Sequence, residues 1–169
     1  MNSKTFFDFN AYMARLTRQN RLAVAEEFHP CDCSGIAHLE GILANMRTKK
    51  AFVCTSDVAD ESTVSRGGGF CKRRVFTVFI VKRFSRDNME SYREALNTCR
   101  ELMRQFHSRF IIDEADMQNE LIYLGVANVK SRELGGNFLD SATGLYFTIS
   151  MDEPINLVYD KSEWDTTSD

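Results

Sequence analysis

Proline and tryptophan are almost missing from this chain of 169 residues, which has two of the first and one of the second. So little proline means few rigidified loops. Long apolar runs are missing as well. The longest near-apolar stretch, Val75 to Val81, falls far short of the roughly 20 residues a spanning helix needs, so no membrane partner is expected. The N-terminus, "MNSKTFFDFNAYMARL", has no basic segment followed by a long apolar one, so no signal peptide is expected. The five cysteines are odd in number and follow no repeated spacing. That pattern argues against a disulfide framework and for reduced thiols in a cytoplasmic compartment.

Chemical signatures are equally sparse. The run "SRGGGFCKRR" opens onto a strand and lacks the spacings of a phosphate loop, which needs glycines at a helix N-terminus. No Ser/His/Asp arrangement can be assembled. Cys99 lies on an apolar helical stripe and reads as core; His107 falls off that stripe and reads as surface. Asp113, Glu114 and Asp116 read as a solvated loop at the exit of a helix. No cofactor motif is present, and the expectation is a protein that is not an enzyme. One constellation has metal-ligand chemistry: His29, Cys31, Cys33 and His38 in "HPCDCSGIAH". Four such side chains would complete a zinc tetrahedron, but Cys-x-Cys is tighter than the usual spacing and a proline sits inside the cluster. Two loop cysteines and two unrelated histidines are therefore expected, with a metal site as the alternative.

The bulk of the chain is that of an ordinary globular protein, 43% hydrophobic and 27% charged. Thirteen phenylalanines predict an aromatic core, and the length suits one domain that buries roughly 70% of its unfolded surface. Periodicity predicts a helix over about Lys4 to Phe28, ended by His29-Pro30. Ser34 is placed to cap a second helix with Ile36, Leu39, Leu43 and Met46 on one face. Residues 51–58 read as a strand, and "ADESTVSRGGG" as a long mobile loop. Residues 72–84 read as a central strand, apolar on both faces in its middle.

Met89, Tyr92, Leu96, Cys99, Met103, Phe106 and Phe110 follow at spacings of three and four. They predict a six-turn amphipathic helix with Asp87 and Glu90 as its capping pair. "DEADMQN" then reads as a linker, and residues 120–130 as a strand. "SRELGGNFLDSATG" reads as a second long glycine-bearing loop, followed by an alternating strand from Leu145 to Asp152. The fold class is therefore α+β, with an antiparallel sheet from two β-hairpins and one long amphipathic helix packed across it. One or two N-terminal helices precede the sheet. Residues 1–155 form a single domain, and 156–169 an acidic tail expected to fray.

Net charge is only −3, but it is unevenly placed. Residues 66–86 hold seven basic side chains and no acidic one, whereas residues 152–169 hold six acidic and one lysine, a local −5. The two regions suggest head-to-tail pairing between copies. The candidate interface is Arg66, Gly67, Gly68, Gly69, Lys72, Arg73, Arg74, Gly135 and Gly136. A pI near 5.7 argues against nucleic acid as the partner of this basic cluster.

The order of elements, and above all "RRVFTVFIVKRFSRDNMESYREALNTCRELMRQF" and "GLYFTISM", resembles the tail-terminator or tail-completion proteins of long-tailed bacteriophages and prophages. The resemblance covers about residues 4 to 155 and rests on pattern, with no diagnostic short motif, so no binding residue carries over. It implies a non-enzymatic subunit forming a ring, commonly hexameric, that caps a tail tube and meets other tail or neck proteins. The location implied is the bacterial cytoplasm or the virion. A small metal- or nucleic-acid-associated binding module is the alternative reading.

Overall fold

The computed structural model describes residues 5–135 and 141–165. In chain order the elements are α1 (Phe9–Gln19), α2 (Arg21–Ala25), β1 (Phe28–Cys33), α3 (Gly35–Asn45), β2 (Ala51–Ser56), β3 (Asp60–Arg66), β4 (Gly69–Arg83), α4 (Met89–Asn119), β5 (Tyr123–Leu124), β6 (Lys130–Leu134) and β7 (Ala142–Ile155). The strands form one seven-stranded sheet in the order β1-β2-β4-β7-β5, with β3 also on β4 and β6 also on β7. All pairs are antiparallel except β1 with β2.

β4 and β7 make the spine, paired from Phe70↔Ile155 to Arg83↔Ala142. Alternation sends Phe76, Val78 and Ile80 to one face together with Leu145, Phe147, Ile149 and Met151. There they meet α4 and α1, with Phe9 stacked on Phe76 at 4.4 Å between ring centres. Phe79 and Val81 point the other way and join Leu39 and Leu43 of α3. The centre of β4 is thus covered on both faces, as its sequence predicts. Gly144 permits the close pairing, because a Cβ there would lie 1.9 Å from the Ile80 carbonyl oxygen.

The N-terminal helix predicted over residues 4–28 is divided. Asn20 takes an extended backbone conformation and its side chain accepts from Ala23 N–H at 2.8 Å, which caps α2 and ends α1. Phe28 and the His29-Pro30 pair belong to β1. Pro30 is tolerated because β1 is an edge strand, paired among the described residues only with β2. A parallel β1–β2 pair needs a crossover, and α3 supplies it on the face opposite α4. Ser34 does stand at the start of α3, but its hydroxyl is bonded to Asp57 rather than to the helix. Ile36 and Met46 are exposed, so only Leu39 and Leu43 of that predicted face are core.

Further expectations are corrected. α4 does not stop near residue 110 but runs 31 residues to Asn119, so "DEADMQN" is helix rather than linker. The buried stripe Leu96, Cys99, Met103, Phe106, Phe110 continues at the same spacing through Asp113 and Met117. A carboxylate in an apolar position hid that continuation. Its cap is Asn88, which accepts from Glu90 and Ser91 N–H, not Asp87, and Met89 is exposed rather than core. Both long loops also contain strands. Asp60–Arg66 is β3 and Lys130–Leu134 is β6, while the strand predicted over 120–130 is reduced to Tyr123–Leu124 and a 3-10 turn at Val126–Asn128.

Candidate interaction surface

The hairpin of β3 and β4 turns at Gly67-Gly68, flanked by the pair Arg66↔Gly69. Both central glycines have positive φ, +59° and +81°. That is the two-residue turn whose twist matches paired strands, and it favours glycine at both positions. The glycine run is therefore a tight turn at the end of an exposed ribbon, not a dozen-residue mobile loop. Gly135 follows β6, and Gly136 lies outside the described residues.

The basic triplet is neutralised within the chain. Lys72 donates to Glu61 across the hairpin at 2.8 Å. Arg73 makes a fork on Asp152, Nε to Oδ1 at 2.7 Å and Nη2 to Oδ2 at 2.8 Å, because β4 and β7 place the two directly opposite. Arg66 reaches the same carboxylate at 3.5 Å and stacks 3.9 Å from the Tyr123 ring. Arg74, on the helix-bearing face, bonds the buried Glu153 at 2.5 Å and the Phe7 carbonyl at 2.9 Å. Glu153 also accepts from Phe7 N–H, so the pair clamps the segment entering α1. The acidic partners expected on a second copy, Asp152 and Glu153, are thus engaged at home.

The zinc constellation does not assemble. Cys31 and Cys54 stand opposite each other in the parallel β1–β2 register, with Cα atoms 4.6 Å apart, and are joined in a disulfide. This also corrects the expectation of wholly reduced thiols; cross-strand register is invisible in residue spacing. Cys33 is buried, which pushes its thiol up to about 11. His38 Nδ1 accepts from Ser34 N–H at 3.0 Å. Among the described residues no three His, Cys, Asp or Glu side chains converge on a metal position. Of the remaining candidates, Cys99 is buried and pushed up to about 12 by desolvation, and His107 Nε2 lies 2.7 Å from the Val126 carbonyl. Among the described residues no helix is long and apolar enough to cross a membrane.

What residue patterns did not single out is an apolar surface at the end of the sheet where β4 begins and β7 finishes. Phe70 is 52% exposed, and beyond its register partner Ile155 come Leu157 at 56%, Val158 at 80%, Tyr159 at 67% and Trp164 at 63%. Tyr159 and Trp164 stack on one another across a 3-10 turn at Lys161–Glu163. The available signal was the apolar and aromatic content of "INLVYDKSEW", masked by its acidic neighbours. No protein-family model matches this chain, and no curated protein matches it significantly in sequence.

Proposed function

We propose that this chain is a non-enzymatic assembly subunit whose work is to associate with copies of itself and with neighbouring structural proteins. The observation that carries the reading is the exposed apolar end formed by Phe70, Leu157, Val158, Tyr159 and Trp164. Several large apolar side chains left exposed on one short segment, two of them stacked on each other, mark a protein contact. The edge strand β3 beside it, exposed along nearly its whole length, supplies backbone groups that a partner strand can pair. The resemblance to phage tail-terminator and tail-completion proteins specifies the reading further, as a ring subunit that caps a tail tube.

Light scattering on gel-filtered protein across concentration and salt tests the reading, with negative-stain imaging of any large species. A discrete closed oligomer is the expected result. A strict monomer at every concentration, with or without salt, would remove the self-assembly that the reading requires.

A further inference from the structure

The arm after β7 is acidic as well as apolar. Over residues 156–165 it carries Asp160, Glu163 and Asp165 against Lys161, three negative charges and one positive. Its complement lies at the far side of the molecule. A depression of about 460 Å³ opens between α1, α2 and the turn before β2, lined by the exposed Val24, the buried Ala23 and Phe28, and the cations Arg18, Lys49 and Lys50. Lys50 pairs with the exposed Glu27, whereas Arg18 and Lys49 have no ion pair among the described residues. Three cations against one carboxylate leave the rim at +2. His29 lies in the wall, where burial first and then Lys49 and Arg18 lower its proton affinity. The larger depression beside Arg66 and Arg73, about 640 Å³, already contains Asp152, which those two cations share.

We infer that the arm of one copy, Tyr159 and Trp164 foremost, docks into the Arg18–Lys49 depression of a second copy. The inference rests on the assembly reading and names the surface through which it operates. Charges of opposite sign meet, and the exposed Val24 in the lining offers an apolar contact to exposed aromatic rings, the arrangement that steers and fixes an interface.

Distance makes the contact intermolecular. The arm leaves the sheet at Ile155, opposite Phe70, whereas the depression lies beside Phe28 and Ala51, the latter opposite Lys82. From Phe70 to Lys82 is twelve residues of strand (82 − 70), about 40 Å at ~3.3 Å each. From Ile155 to Trp164 is nine residues (164 − 155), spanning at most about 32 Å. An arm of that length does not span an extended strand of twelve residues, and none of the arm's described residues lines the depression in its own chain. Contacts between two different surfaces propagate head to tail and close into a ring when the rotation permits.

Trp164 is the sole tryptophan, so its emission reports on the arm alone. As concentration rises, a blue shift is expected to accompany the growth of oligomers. Arg18→Glu/Lys49→Glu is expected to abolish both, as is Asp160→Lys/Glu163→Lys, and mixing these two variants is expected to restore both. Oligomers in which Trp164 stays water-exposed, or which are indifferent to these reversals, would overturn the docking and leave assembly standing. A synthetic 156–169 peptide added to the full chain carrying Trp164→Phe separates the opposite case. Peptide binding, weakened about tenfold or more by the pocket reversal, supports the docking even where the intact chain stays monomeric; no binding overturns it. Displacement of the peptide by millimolar phosphate beyond that by chloride at equal ionic strength would reassign the depression to small anions and overturn the proposal.

Discussion

The hydroxyl of Tyr12 donates a 2.8 Å hydrogen bond to Oδ2 of Asp113, tying α1 to α4 beneath the sheet. Arg109, one turn earlier on α4, donates to the same carboxylate at 2.9 Å. Burial and this bond hold the Tyr12 phenol far above its ordinary value, so it remains a donor through the usual working range of pH. Tyr12→Phe is expected to destabilise by about 1 kcal/mol, because Asp113 keeps its arginine. Asp113→Ala is expected to cost more, and a double-mutant cycle in urea should return a clear coupling between the two sites. Additivity within error would mean that the contact is not formed.

Arg74 and Glu153 form the most enclosed ion pair of the spine. Arg74→Met strands a buried carboxylate, with an expected loss of roughly 3 kcal/mol. Replacing both, as Arg74→Met/Glu153→Leu, is expected to cost less than the single change. Lys72→Ala, at an exposed pair on the ribbon, should move stability by less than about 1 kcal/mol. Chemical denaturation midpoints order the three variants.

The turn at Gly67-Gly68 separates a tight ribbon from a mobile loop by a simple substitution. Alanine at either position must adopt positive φ, at about 1–2 kcal/mol each, whereas Gly67→Asn is expected to be tolerated. A flexible loop would be indifferent to all three, which thermal melts would reveal.

Thiol chemistry gives a further check. Denatured without reductant, the chain should titrate three thiols, and five after reduction, since Cys31 and Cys54 are joined. Reduction removes a cross-link spanning 23 residues, for an expected loss of about 3 kcal/mol. In the folded chain Cys33 and Cys99 should resist alkylation at neutral pH. Burial raises both above the unfolded thiol value, so their contribution to stability is complete below about pH 8.5. It falls as pH rises towards about 11 and about 12, the folded values of Cys33 and Cys99. Midpoints that rise over that range would contradict the assignment.

Periodic burial was legible in the residues alone. Alternation in "VFTVFIV" and "LYFTISM", and the three-four spacing from Leu96 to Phe110, determined the α+β class and the long helix across the sheet. They also determined the two-sided burial of the central strand. These signals are local, since one strand or one turn of helix suffices to sort side chains between core and solvent. Only the tertiary structure decided which residues meet. Register between distant strands joined Cys31 to Cys54 and set Arg73 against Asp152, neutralising a patch that looks free in the sequence. Tertiary packing made Asp113 a buried anchor by bringing Tyr12 to it, and left the aromatic arm outside by ending β7 at Ile155. Charge and polarity in a chain are properties of single residues, but their pairing depends on neighbours supplied by the fold.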